Sequence, residues 1–239
     1  MQIDQDKCTA CGLCADYCIM ECIQLKNGAY EIQEDECVDC GACLKSRVCS
    51  AGALYMPQRN FEYPRSVRMQ FSDPGVKHPK LQAWGRGIEH DKTNDVLGKF
   101  KRGEYCLMLE VGRPLLGVRL REIEKLLVQL TAAGFDIAKD NPLWFLAQDP
   151  EKGLLKKEVL DEKILNATIE IRLDERNLES ALQTILPMLD DLDTVVSVGL
   201  LSRFEDDGSL PVIDKLKNIN VAVRPNAKIN VGLGRPLAD

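Results

Sequence analysis

Nine of the ten cysteines in this 239-residue chain fall between Cys8 and Cys49. No other feature restricts the fold as tightly, because so many thiols in so short a stretch call for a shared partner rather than an ordinary apolar core. They form two arms with the same internal interval, Cys8-x2-Cys11-x2-Cys14-x3-Cys18 and Cys37-x2-Cys40-x2-Cys43-x5-Cys49. A repeat this short implies one supersecondary unit used twice. No charged-then-apolar leader opens the chain, so metal ligation is expected in place of a disulfide framework.

A 4Fe-4S cubane takes four thiolates at the corners of a tetrahedron, and a Cys-x2-Cys-x2-Cys loop can supply three of them. Gly12 and Gly41 follow the second cysteine of each arm, where backbone freedom helps the turn. The fourth cysteine of such an arm ligates the other cluster. The spacing therefore assigns Cys8, Cys11, Cys14 and Cys49 to cluster one, and Cys37, Cys40, Cys43 and Cys18 to cluster two. Zinc also accepts paired Cys-x2-Cys hooks, but the third cysteine of each arm would then stand idle. Over residues 1–56 the double arm resembles the bacterial-type ferredoxins with two 4Fe-4S clusters. The chain departs from that family where Ile19 and Ser50, not proline, follow the fourth cysteines, and where five residues precede Cys49. Cys22, four residues after Cys18, reads as a small buried residue behind a cluster; a redox-active thiol and a substitute ligand for Cys18 are the alternatives. Cys106 lies in the apolar run Tyr105–Val111 and reads as a buried structural cysteine.

Charge divides the chain into three regions. Residues 1–58 carry nine acids and four bases, residues 59–104 ten bases and six acids, and residues 105–239 seventeen bases and 22 acids, for a total of −6. The dicluster ferredoxin module (1–58) is thus acidic, and each cluster with its four thiolates adds about −2 more. Residues 59–104 contain Pro64, Pro74, Pro79, Gly75, Gly85, Gly87, Gly98 and Gly103 and read as a mostly irregular basic connector. An acidic chain does not suit nucleic acid, and no run approaches the ~20 apolar residues of a membrane span. With no export signal, and because exposed clusters survive best in a reducing compartment, the chain is expected in the cytoplasm.

Residues 105–239 alternate strand and helix patterns. Tyr105–Val111, Phe135–Ala138, Ala167–Leu173 and Thr194–Leu201 read as strands. Val118, Leu120, Ile123, Leu126, Leu127 and Leu130 recur at helical spacing, with Gly134 placed as a C-cap. A second helix carries Leu178, Ala181, Leu182, Ile185 and Leu189, with Asp174 as its N-cap and Pro187 ending or bending it. The order predicts a βαββαβ, ferredoxin-like sandwich, making the whole chain α+β. That topology is also used by ligand sensors of the ACT type and carries no function by itself.

Two segments mix Arg, Lys and Asn with glycine in a way that suits an anionic small molecule or a partner protein. The first supplies Arg86, Lys92 and Asn94; the second supplies Arg224, Asn226, Lys228, Asn230 and Arg235; Arg113 offers a further cation. Turn-forming loops without a ligand are the plainer reading. These segments and Pro64-Arg65-Ser66-Val67-Arg68 are similar to stretches of the iron–sulfur reductases of the 6-hydroxynicotinate reductase type. That resemblance implies a reductase acting on a heteroaromatic anion, here as its iron–sulfur portion without the flavin part, and transfers no catalytic residue. His78 and His90 read as exposed loop residues. No dinucleotide fingerprint or P-loop is present. The leading expectation is an electron-transfer subunit that relays single electrons between a soluble donor and a partner reductase or dehydrogenase. A reductase completed by an added flavin or partner and an ACT-like sensor gating electron flow are the alternatives.

Overall fold

The computed structural model describes residues 1–80 and 100–223. The cysteine arms sit on short elements. Strand β1 (Gln2–Ile3) precedes arm one, which ends in a hairpin of β2 (Ile23–Lys26) and β3 (Ala29–Ile32). Arm two carries α1 (Ala42–Lys45) and leads to β4 (Leu54–Tyr55), which returns to pair antiparallel with β1. Elements this short bury little apolar surface, and the local core is correspondingly built from Met1, Met20, Ile23, Val38 and Leu54 together with Cys22, Cys37 and Cys43.

The connector begins as packed structure. A 3-10 turn over Gln58–Phe61 is followed by helix α2 (Val67–Ser72), in which Val67, Arg68, Met69, Phe71 and Ser72 are all buried. This differs from the irregular segment expected for residues 59–104. Prolines and glycines marked the region as broken, but they flank α2 at Pro64 and Pro74 rather than interrupt it.

The second part contains β5 (Glu104–Val111), β6 (Val118–Arg119), α3 (Leu120–Ala132), β7 (Asp136–Ile137), β8 (Ala147–Asp149), β9 (Leu154–Leu155), β10 (Lys163–Ile164), β11 (Ala167–Asp174), α4 (Leu178–Asp190), β12 (Val196–Leu201) and α5 (Val212–Asn218). The main sheet runs β12-β5-β11-β7, antiparallel throughout. Its longest register is Ala167↔Val111 to Asp174↔Glu104. Leu120, Ile123, Leu126, Leu127 and Leu130 lie one above another on α3 and are completely buried. Each contributes about 1.5–3 kcal/mol by leaving water. Leu178, Ala181, Leu182 and Ile185 do the same for α4. Asp174 caps the 3-10 turn Glu175–Asn177 by accepting from Arg176 N, one turn ahead of α4. Pro187 lies inside α4, which continues to Asp190.

Residues 138–166 separate the second and third strands of the sheet and join the two parts of the molecule. In this stretch β10 pairs with β6, and the following Leu165 inserts into the core of the cysteine module. Gly112, at the end of β5, has φ +91°, and a Cβ there would stand 2.6 Å from the Leu165 carbonyl oxygen. Gly112→Ala is therefore expected to destabilise the fold by about 1–3 kcal/mol, because neither the backbone angle nor the approach to residues 165–166 accepts a side chain. Equilibrium denaturation of the two proteins checks this.

Candidate metal centre

The arms aim their thiols by tight turns. Gly12 and Gly41 adopt φ +79° and +71°, the left-handed angles that reverse the chain between the second and third cysteine of each arm. Cys14 feels the charges of Cys49, Cys11 and Cys8, so one group of neighbours joins three residues of arm one to the last of arm two. Cys43 feels Cys37, Cys18 and Cys40, which joins three residues of arm two to the last of arm one. Cys18, Cys37, Cys40 and Cys43 line a cavity of about 310 Å3, counting its open mouth, together with Met1, Tyr17, Met20 and Cys22. Among the described residues no three cysteine, histidine or carboxylate groups converge closely enough to hold a lone metal ion.

The two groups differ in exposure. Cys11 is exposed and Cys8, Cys14 and Cys49 are half-buried, whereas Cys37 and Cys43 are buried. Burial pushes Cys43 up to about 12 and raises Cys40 and Cys14 as well. A metal must supply positive charge to make these sulfurs thiolates, so binding would release protons. Cys49 goes the other way, since the Ala53 N–H donates to its Sγ at 3.3 Å and favours the anion.

The ninth thiol, Cys22, is buried in the wall of this same cavity, with its Sγ 3.5 Å from Cys18 Sγ. Hydrogen bonds to Cys18 and Cys37 and burial raise Cys22 well above the ordinary thiol range. The same bonds lower Cys18 and Cys37. The three sulfurs therefore titrate as one linked group, with Cys22 held up and Cys18 and Cys37 held down. Cys106 is likewise buried, in β5 of the other part.

Charged residues outside the arms hold this geometry. Asp39, fully buried between Cys37 and Cys40, accepts from Arg65 Nε at 2.7 Å, from the Met1 amino group at 2.8 Å and from Asn60 Nδ2 at 3.0 Å. Burial by itself would raise its pKa, but Arg65 and the amino group outweigh burial and keep the carboxyl below its usual range. Arg68 Nη1 donates to the carbonyl oxygens of Glu34 (3.0 Å), Asp35 (3.1 Å) and Cys37 (2.8 Å). Its Nε pairs with Glu162 from the 138–166 stretch. Lys163 and Arg119, opposite each other on β10 and β6, both pair with Glu36. The sequence marked none of these as part of the site.

Other expected residues separate clearly. Arg113 pairs with Glu110 at 3.1 Å and donates to the Gly112 carbonyl, so its charge is met within its own turn. Arg86, Lys92, Asn94, Arg224, Asn226, Lys228, Asn230, Arg235 and His90 lie outside the described residues. His78, expected to be an exposed loop residue, is buried, with its ring 5.1 Å from that of Phe145. The Lys80 N–H donates to its Nδ1 at 3.4 Å, and burial, then the Lys80 charge, lower its pKa.

Residues 1–24, which include all of arm one, match the family described as a 4Fe-4S binding domain. This end of the chain is a ferredoxin-type iron–sulfur segment with an electron-transfer role. No curated protein and no solved structure matches the chain. Among the described residues no helix is long and apolar enough to cross a membrane.

Proposed function

We propose that the chain carries two 4Fe-4S clusters and relays single electrons between a soluble donor and a partner reductase or dehydrogenase. The observation that carries this reading is the cavity lined by Cys18, Cys37, Cys40 and Cys43, with Cys49 falling instead among the neighbours of Cys14. That partition supports crosswise ligation, in which each arm lends its last cysteine to the other's cluster. When bound, such a group supplies reversible one-electron transfer and, with four thiolates on four irons, no open coordination position.

The protein's own residues hold and bias the site. Cys22 and Cys18 share a sulfur–sulfur hydrogen bond at 3.5 Å, and Ala53 offers an N–H to Cys49. Hydrogen bonds to ligand sulfur stabilise the more negative state and are an established lever on potential. Arg65 and Arg68 hold the loop that carries Cys37. The sheet order β12-β5-β11-β7, with one helix in each crossover, supports the βαββαβ reading of the second part. That part packs on the cysteine module through Leu165 and Glu162, which supports a role in assembly with a larger complex. No described residue favours the heteroaromatic reductase or the ligand sensor.

Anaerobic reconstitution with iron and sulfide tests the proposal. The expected product is brown, contains about eight irons and eight sulfides per chain, and after dithionite reduction shows an EPR spectrum of two interacting reduced clusters. A colourless protein holding zinc and no sulfide would overturn it.

A further inference from the structure

The turn between β5 and β6 belongs to the second part of the molecule yet ends against the cysteine arms. Leu115 N donates to the Ile19 carbonyl at 2.8 Å, next to Cys18. A Cβ at Gly117 would lie 3.1 Å from Met20 Cε, so the base of the turn rests on the same segment. At its tip, Leu115 is 56% exposed and Leu116 50% exposed. Tyr17, two residues before Ile19 in the chain, lines the thiol cavity and is itself 48% exposed. Scattered surface leucines need no explanation, but a neighbouring pair held against the segment that carries Cys18 does.

Leu115 also has φ +74°, an angle that a bulky side chain adopts only at a cost. The fold thus holds a leucine in a strained conformation in order to present it to water. Both features are unfavourable for a chain on its own, and a covering partner would take the exposed leucines out of water. Near the turn Asp16, Glu21 and Asp193 are exposed, the last beside Thr194, whose hydroxyl donates to the Gly117 carbonyl, while Lys163 at the base of the turn has its charge met by Glu36. The nearby cation Arg113 is neutralised by Glu110.

We propose that Tyr17, Leu115 and Leu116 form the docking surface for a one-electron carrier protein whose own contact face is apolar inside a ring of lysines and arginines. The charge pattern selects this occupant, since a second copy of the chain would bring acid against acid. A partner seated here lies against the turn that hydrogen-bonds to Ile19, the residue after Cys18. One electron passes from the reduced centre to the oxidised cofactor of the partner, and no bond or proton changes place. The proposal rests on the electron-transfer reading above and adds the face through which it operates.

Cytochrome c, a basic protein with an exposed haem edge, is the probe. With the photoreduced holoprotein, the second-order rate of ferric haem reduction should fall steeply as salt is added. Leu116→Ser and the double variant Leu115→Gly/Leu116→Ser should each slow that reaction, the double variant by roughly tenfold, corresponding to about 1.4 kcal/mol of lost docking. Their iron content and their rate with the small acceptor ferricyanide should match wild type. Leu115→Gly alone should raise the melting temperature, because glycine accepts the backbone angle freely. Cytochrome rates equal to wild type, an equal loss with ferricyanide, or loss of iron in both variants would overturn the surface assignment. So would a wild-type dimer that Leu116→Ser dissociates, since the patch would then be a self-contact. An iron-free wild type would instead sink the electron-transfer reading itself.

Discussion

Cys43→Ser and Cys18→Ser should each remove the same half of the iron, leaving about four atoms per chain where the wild type holds about eight. The two residues lie in different arms, yet both line one cavity with Cys37 and Cys40. Cys14→Ser and Cys49→Ser should remove the other half, because Cys14 has Cys49, Cys11 and Cys8 as its neighbours. EPR should then show one isolated reduced cluster in each variant, and the spectra should sort into two pairs by cavity rather than by arm. Cys22→Ala is the necessary contrast. Its thiol is hydrogen-bonded to Cys18 but stands outside the crosswise set of four, so its removal should leave iron at the wild-type level while changing the potential of the cluster held by Cys18. Iron lost on Cys22→Ala but retained in Cys18→Ser would move the fourth ligand to Cys22. Pairing of spectra by arm would refute the crosswise exchange.

Arg68→Met should destabilise the protein by about 3–5 kcal/mol, the cost of leaving one member of a buried ion pair without its partner. For a chain of this size that corresponds to a fall in melting temperature of roughly 10 °C or more. Arg68 is 4% exposed, and its removal strands Glu162 together with the carbonyl oxygens of Glu34, Asp35 and Cys37. Methionine fills much of the same volume, which isolates the polar loss from a packing loss. Arg68→Lys should recover only part of the stability, because one ammonium cannot reach a carboxylate and three carbonyls as the planar guanidinium does. The double variant Arg68→Met/Glu162→Leu should be more stable than Arg68→Met alone, since no orphan charge remains. Thermal denaturation of the four proteins decides the point, and an Arg68→Met variant within about 1 kcal/mol of wild type would show that the clamp is dispensable.

Much of the second part was legible in sequence for a simple reason. The leucines of α3 recur at the helical interval and the residues of β11 alternate, so burial on one face is written in the local order of residues. His78 was misread because a lone histidine between lysines and prolines carries no periodicity, and only the arrival of Phe145 from 67 positions away buries it. Helix α2 was missed for the opposite reason: it is buried almost all round, so its six residues show no polar face to betray the period.

The sequence alone determined the chemistry of the amino-terminal module. Intervals of three between cysteines, with Gly12 and Gly41 at the turns, act over a few bonds, so the first three sulfurs of each arm are set by local sequence. Tertiary structure decided how that module is held and what it presents. Arg68 meets Glu162 across 94 positions, Leu165 enters the cysteine core, and the Leu115 turn comes to rest beside Cys18. Such contacts leave no local trace, because an arginine that will be buried and one that will stay in water are the same residue until the chain closes a long loop around one of them.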